Sequence, residues 1–216
     1  MTLKVRLHSI AISEQAEFFN VPNYMDLNSF VASLVAKNSR KSQIINFNLE
    51  EIDDRLAKTI VKIFSKMLFN FTKRLPNRGA IPFHVLLEEA HRYVQSDNDN
   101  YLLGYNIFER IAKEGRKFGI ILNLVSQRPV ELSETVISQI GDFLILKMTH
   151  PRDLEYIKKM LPNMSAEIME KQKNLQPGMC VAFGTAFKVP MIIRMPLPNP
   201  APHSSNVNVV SVWQGR

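Results

Sequence analysis

The stretch FHVLLEEAHRYV at residues 83–94 decides the fold, because a short apolar run leads directly into two adjacent carboxylates. An apolar run without alternation is typical of a strand that is covered on both faces of a sheet. Placing Glu88 and Glu89 directly after such a run is costly unless a cation or a reacting water meets them. The stretch therefore predicts a buried strand at residues 83–87 with chemistry at its carboxyl end.

Apolar runs and amphipathic helices continue along the chain. Further strands are predicted at residues 44–49, 120–125 and 143–148, and helices at residues 54–75, 101–117, 133–140, 153–160 and 166–175. Residues 179–183 and 189–195 are predicted to pair as a hairpin, followed by an extended, proline-rich tail. Strands that alternate with helices predict an α/β fold with a mainly parallel sheet, in which ligands gather at the carboxyl ends of the strands.

Apolar stripes predict two helices before residue 83. Asp26 is expected to cap the first helix, whose apolar positions are Leu27, Phe30, Val31, Leu34 and Val35. The stripe of the helix at residues 54–75 consists of Leu56, Ile60, Ile63, Met67 and Phe71.

Composition limits the classes of function. The chain has 216 residues, a net charge of +7 and a pI near 9.5, and a basic balance favours partners that carry phosphate. Cys180 is the only cysteine, so an internal disulfide is excluded and a reducing, cytoplasmic setting is expected. No stretch approaches the roughly 20 apolar residues that cross a bilayer, so no membrane association is predicted.

The paired glutamates predict a specific chemistry. ATP-hydrolysing sheets use one acid at such a strand end to hold Mg²⁺ and the next to deprotonate the attacking water. Glu88 fits the first role and Glu89 the second, which predicts ATP and Mg²⁺ as ligands. The alternative that this segment leaves open is a helix N-terminus, where two glutamates simply favour the helix dipole.

Two other polar groups flank the predicted strand at residues 120–125. Gln127 follows the strand, where its amide can donate to a γ-phosphate and accept from a water molecule. Arg116 precedes the strand, between Gly115 and Gly119, where a planar guanidinium can project towards a phosphoryl oxygen. The alternatives are an exposed loop glutamine and a basic helix C-terminus that complements the dipole.

Three stretches together resemble a known family. FHVLLEEAHRYV, IFERIAKEGRKFGIILNLVSQRP and ISQIGDFLILKMTHPRDLEYIKKMLP, in this order, look like the C-terminal half of the motor domain of HerA-type ATPases, over roughly residues 44–198. The resemblance implies a RecA-like fold and a homo-hexameric ring that threads double-stranded DNA by hydrolysing ATP. It also implies a nuclease or another effector enzyme as partner.

The resemblance also implies roles for individual residues. Glu89 would be the catalytic base, Glu88 would occupy the Walker B position, and Gln127 would be the sensor. Arg116, or alternatively Arg110, would be the finger that reaches a neighbouring subunit. The family usually has aspartate where Glu88 stands, and the longer side chain moves this carboxylate outward by one methylene.

A phosphate-binding P-loop, G-x-x-x-x-G-K-[ST], is absent from the sequence, since none of the eight glycines is followed by lysine. We therefore expect an incomplete RecA-like sheet without the P-loop strand at residues 41–198, between an N-terminal segment (1–40) and a tail (199–216). The chain alone is expected not to hydrolyse ATP, and to self-associate or need a partner that completes the sheet. The alternative function is a non-catalytic scaffold that binds a complete ATPase or a nuclease.

The remaining patterns support weaker hypotheses. His84 and His91 do not have the H-E-x-x-H spacing of a zinc site, and residues 97–100 lack the glycine and glutamate of a calcium loop. Trp213 in the tail is expected either to anchor a neighbouring subunit or to lie in a disordered end. A solvated helix face or a phosphate contact explains one basic cluster: Lys147, His150, Arg152, Lys158 and Lys159.

Overall fold

The computed structural model describes residues 12, 24–35, 44–96, 105–160, 166–201, 210 and 213. Its helices are α1 (Leu27–Leu34), α2 (Asp54–Arg74), α3 (Ile107–Glu114), α4 (Glu134–Ile137), α5 (Pro151–Met160) and α6 (Ala166–Lys173). Its strands are β1 (Phe83–Leu87), β2 (Ile120–Leu124), β3 (Asp142–Ile145), β4 (Met179–Gly184) and β5 (Met191–Arg194). Three short 3₁₀ turns cover Ala90–Arg92, Gly115–Phe118 and Pro129–Glu131. The predicted loop at 97–100, the start of the helix predicted from residue 101 and most of the tail lie outside the described residues.

The chain divides into two compact units. The first comprises Met1–Val85 and Glu114–Asn123, and the second comprises Leu86–Lys113 and Leu124–Arg216. No helix in the described ranges has both the length and the apolar character that spanning a membrane requires.

Side-chain caps explain where the first two helices begin. Oδ1 of Asp26 accepts hydrogen bonds from the backbone N–H groups of Asn28 and Ser29, at 2.9 and 3.1 Å. The side-chain hydrogen bond from Ser29 lowers the pKa of the Asp26 carboxyl group. Asp53 caps α2 in the same way, and each cap satisfies backbone N–H groups that have no partner within the helix. Both predicted helices are confirmed.

The buried face of α2 differs from the predicted stripe. The predicted residues are only half-buried, and Ile63 is 41% exposed. The buried apolar and small residues lie further round the helix: Ala57, Val61, Ser65, Leu68, Phe69 and Thr72. Apolar residues occupy much of the circumference of α2, so periodicity alone could not select the side that packs. The ring of Phe69 meets that of Phe118 edge-on at 5.7 Å, and this contact fixes the orientation.

Residues 44–49 do not form a strand, so this prediction is wrong. They have no regular secondary structure, and Phe47 packs against Phe64 of α2 with 5.1 Å between ring centroids. The alternation of apolar residues in this segment therefore does not correspond to pairing in a sheet within the described residues.

β1 and β2 form a two-stranded parallel sheet. The N–H of Phe83 donates to the carbonyl of Gly119 at 2.8 Å, and the N–H of Val125 donates to the carbonyl of Leu87 at 3.0 Å. The bonds advance in the same direction along both chains, as parallel pairing requires. The predicted α/β class and the parallel pair are confirmed. Leu86 is 58% exposed, so within the described residues β1 is not covered on both faces as predicted.

β3, β4 and β5 form an antiparallel sheet in the second unit, with β4 in the middle. The face that carries Phe143 and Phe183, whose rings stack at 5.0 Å, packs against α5 and α6 through a cluster of buried residues: Ile145, Ile157, Met169, Leu175 and Val181. The predicted hairpin of β4 and β5 is confirmed. β3 was expected to extend the parallel sheet, but it pairs antiparallel with β4. The sequence could not predict this, because an apolar run does not indicate the direction of the strand with which it pairs.

Cys180, in the middle strand of this sheet, is 1% exposed, and burial raises the pKa of its thiol. Only the thiolate reacts with an aromatic disulfide reagent. We expect the native chain to react at pH 8 at least about 100-fold more slowly than the urea-unfolded chain, because the sheet must open first. The release of the coloured thiol measures this rate, with free cysteine as the reagent control. Equal rates in both states would show that the sheet does not protect Cys180.

Candidate active site at the ends of two parallel strands

Two backbone hydrogen bonds bracket the paired glutamates. The N–H of Val125 donates to the carbonyl of Leu87 at 3.0 Å, and the N–H of Ala90 donates back to the carbonyl of Val125 at 2.8 Å. The chain between these bonds, Glu88 and Glu89, must therefore turn sharply from the strand into the 3₁₀ turn Ala90–Arg92. This turn positions both carboxylates at the carboxyl end of β1.

Glu89 has a left-handed backbone, with φ 48° and ψ 45°. It is the one non-glycine residue with positive φ in the described part of the chain. This conformation costs a residue with a Cβ atom about 1–2 kcal/mol. Backbone strain of this kind collects at functional sites, where the surrounding hydrogen bonds impose it.

The carboxylate of Glu89 contacts two neighbours, one at each oxygen. Nε2 of Gln127 donates to Oε1 at 3.0 Å. Nδ1 of His91 lies 3.3 Å from Oε2, and the side chain of His91 is only 14% exposed, against 42% for that of Glu89. The structure thus brings Glu89 and Gln127 together, in the arrangement that the sequence predicted from their places after two neighbouring strands.

His91 completes this cluster, and sequence reasoning considered it only as a zinc ligand. Its Nδ1 also lies 3.2 Å from Oγ of Ser126, which in turn accepts a hydrogen bond from the backbone N–H of Arg128 at 3.0 Å. A protonated Nδ1 donates to Glu89, whereas an unprotonated Nδ1 accepts from Ser126. His91 lies two residues after Glu89, inside a 3₁₀ turn. Its contact with Glu89 could be predicted from this spacing only if the turn were known.

Glu88 is exposed and makes no hydrogen bond or ion pair within the described residues. An oxygen donor without a partner at this strand end fits Mg²⁺, which keeps most of its water shell and takes one or two carboxylates. The described ranges hold no group of three His, Cys, Asp or Glu side chains close enough to hold a metal ion by themselves. Glu88 is the residue of this pair that could hold Mg²⁺ at this strand end.

The two candidate finger arginines differ in their surroundings. The guanidinium of Arg110, on α3, lies over the ring of Tyr105 at 4.9 Å. Arg116, in the 3₁₀ turn Gly115–Phe118, is exposed, and its side chain makes no hydrogen bond or ion pair in the described part of the chain. Gly119, with φ 78°, ends this turn. Arg116 is thus the arginine that is available to another molecule.

Comparison with known proteins identifies similar chains. No family model matches the chain. The DNA double-strand break repair helicase HerA of Saccharolobus solfataricus is 30% identical over 196 residues, which are 89% of this chain and 38% of that protein. The HerA helicase of Pyrococcus furiosus is 39% identical over 116 residues, or 54% of this chain and 21% of that protein. The chain is a relative of the HerA helicases.

These HerA relatives are longer proteins, and the chain spans about two fifths of the length of the Saccharolobus relative. Among solved structures, the genome packaging NTPase B204 of Sulfolobus turreted icosahedral virus 2, in complex with ATP-gammaS, superimposes with a TM-score of 0.54. The superposition covers 81% of this chain and 74% of that chain at 18% identity. The fold is therefore the RecA-like α/β fold of P-loop ATPases, as the resemblance implied.

Proposed function

We propose that this chain supplies the water-activating part of an ATP-hydrolysing site in a DNA-translocating motor of the HerA type. The observation that carries the proposal is the contact of Glu89 with Gln127 at the carboxyl ends of two adjacent parallel strands. Ligands of parallel sheets bind at this edge. The names of the HerA relatives and the nucleotide in the B204 structure support ATP and DNA as ligands.

The side chains of the site divide the work of hydrolysis. In ATP hydrolysis, water attacks the γ-phosphorus, the bond from this phosphorus to the oxygen that bridges it to the β-phosphate breaks, and ADP leaves; Mg²⁺, when bound, would offset the negative charge of the phosphates. Glu89 accepts a proton from the attacking water at its carboxylate. Gln127 holds Oε1 of Glu89 and, by its position, also orients the water. His91 is a positioning residue, because its Nδ1 holds Oε2 and keeps the carboxylate directed towards Gln127.

Glu88 and Arg116 meet the remaining charges of the reaction. Glu88 makes no hydrogen bond or ion pair within the described residues and would hold Mg²⁺. Arg116 stabilises transition-state charge on the nucleotide of a neighbouring subunit, as fingers supplied in trans do. Arg110 is less suited to this role, because its guanidinium already stacks on Tyr105.

Phosphate binding requires a segment that this sequence does not contain. We propose that a P-loop strand and helix complete the sheet, and that six copies then assemble around double-stranded DNA. β2 and β3 are edge strands within the described residues, so each has an edge on which another strand can pair. A cytoplasmic setting and an effector nuclease as partner stay predictions from the sequence.

A chimera tests this function, in which the chain replaces the segment that it matches in the HerA helicase of Saccharolobus solfataricus. We expect the chimera to hydrolyse ATP, and to do so faster with duplex DNA, whereas the 216-residue chain alone shows no turnover. Phosphate release measures both rates. A chimera that assembles into rings but stays inactive would favour the scaffold alternative.

A further inference from the structure

A basic patch surrounds Phe118 at the C-terminal end of α2, in the first unit. Nζ of Lys73 lies 5.3 Å from the ring centroid of Phe69 and 5.8 Å from that of Phe118. Cζ of Arg78 lies 5.5 Å from the ring centroid of Phe118. Arg74 and Lys117 are the chain neighbours of Lys73 and Phe118. We call these four cations the Phe118 patch: Lys73, Arg74, Arg78 and Lys117.

The Phe118 patch carries four positive charges, and no acidic side chain within the described residues forms an ion pair with them. All four side chains are exposed, and none makes an ion pair within the described residues. The first-turn acid of α2, Asp54, is about 28 Å away along the helix at 1.5 Å per residue. Glu114, the nearest acid before Lys117 in the chain, is half-buried and engaged in an interaction of its own.

The cation–π contacts distinguish this patch from an ordinary solvated face. An aromatic ring attracts a cation over its face, so Lys73 and Arg78 are already partly ordered and lose less side-chain entropy when they bind an anion. The ring face uses none of their N–H groups as directed donors, so those groups remain available to acceptor oxygens. Fixed and unpaired cations suit a partner that carries many phosphates at regular spacing.

We propose that the Phe118 patch binds the phosphate backbone of duplex DNA without reading its sequence. The choice of DNA as the polyanion rests on the proposed function, but the binding needs neither ATP nor the Glu89 site. Duplex DNA carries one charge per roughly 1.7 Å of helix axis, and each phosphate neutralised by a cation contributes about −0.9 to the slope of log K against log salt. The slope of log K against log salt therefore reports how many phosphates the patch contacts.

The test compares two variants of the full chain that have the same net charge. Lys73→Gln with Arg78→Gln removes two cations of the patch. Lys171→Gln with Lys173→Gln removes two cations of α6 that already pair with Glu167 and Glu170. Fluorescence anisotropy of a labelled 20-base-pair duplex of mixed sequence, titrated at several salt concentrations without nucleotide, gives affinity and salt slope. Arg116 stays unchanged in both variants.

We expect the patch variant to lose at least about 10-fold in affinity at low salt and to reduce the magnitude of the salt slope by about 1.8, which is two lost phosphate contacts. The α6 variant should bind like the unchanged chain. Equal weakening in both variants would overturn the proposal, because it would show an effect of net charge alone. So would an unchanged patch variant, or no binding by the unchanged chain.

A third variant controls for folding. Lys73→Arg with Arg78→Lys keeps both charges and should keep the salt slope, while thermal unfolding checks that all variants have the same cooperativity. An inactive ATPase chimera with intact DNA binding contradicts the proposed catalysis and leaves the patch supported. An active chimera without patch-dependent binding contradicts the patch alone.

Discussion

Glu89→Gln in the chimera is expected to lower kcat for ATP hydrolysis by about 100-fold or more, the usual contribution of a positioned general base. Glutamine is nearly the same size and keeps a hydrogen-bond acceptor for Gln127, so the cluster should persist while the proton acceptor is lost. Phosphate release at saturating ATP and DNA measures kcat. Binding of a labelled nucleotide should change little, because the lost group acts on water.

A matched substitution separates this effect from a general loss of charge. Glu131 lies in the same unit as Glu89 and forms an ion pair with Arg128 at 3.1 Å. It has no part in the proposed hydrolysis. Glu131→Gln should leave kcat within about twofold, since exposed ion pairs contribute about 0–1 kcal/mol. Comparable turnover of the Glu89→Gln chimera and the parent would rule out Glu89 as the base.

Gly184→Ala should destabilise the chain by about 3 kcal/mol, the largest effect that we expect from a single small substitution. Gly184 has φ 133°, and an added Cβ atom would lie 2.6 Å from Cα of Asp142, its partner residue on β3. The expected loss combines about 1–2 kcal/mol for the positive φ with about 1–3 kcal/mol for overpacking. Urea unfolding followed by circular dichroism measures the change.

Gly178 provides the control for this prediction. It has φ 79°, at the other end of β4, and an added Cβ atom would meet no atom within 4 Å. Gly178→Ala should therefore cost only the backbone term, about 1–2 kcal/mol. Equal losses for the two variants would show that β3 and β4 move apart easily near Asp142, contrary to the close packing described.

The sequence predicted the elements that local chemistry determines. The cap of Asp26 on α1 was predicted and is present. Asp53 and Ser133 cap α2 and α4 in the same way, and short polar caps of this kind can be recognised in a sequence. The ends of β1 and β2 were also predictable, because charged or polar residues follow each apolar run. For this reason the sequence predicts that Glu89 and Gln127 lie side by side, as they do in the structure.

The features that the sequence did not predict depend on contacts between distant residues. The orientation of α2 follows from the contact of Phe69 with Phe118, and the direction of β3 follows from its pairing with β4. Neither contact can be recognised from the periodic spacing of apolar residues in the sequence. The contact of His91 with Ser126 was not predicted for the same reason, because the two residues are 35 positions apart along the chain.

The left-handed backbone at Glu89 has a practical consequence for protein engineering. Glycine adopts such torsion angles without a steric penalty, so a library screened only for heat resistance has a reason to replace Glu89. Variants selected in this way would keep the fold but lose the Glu89 carboxylate that contacts Gln127. A search for variants of higher thermal stability should therefore leave position 89 unchanged and substitute other residues.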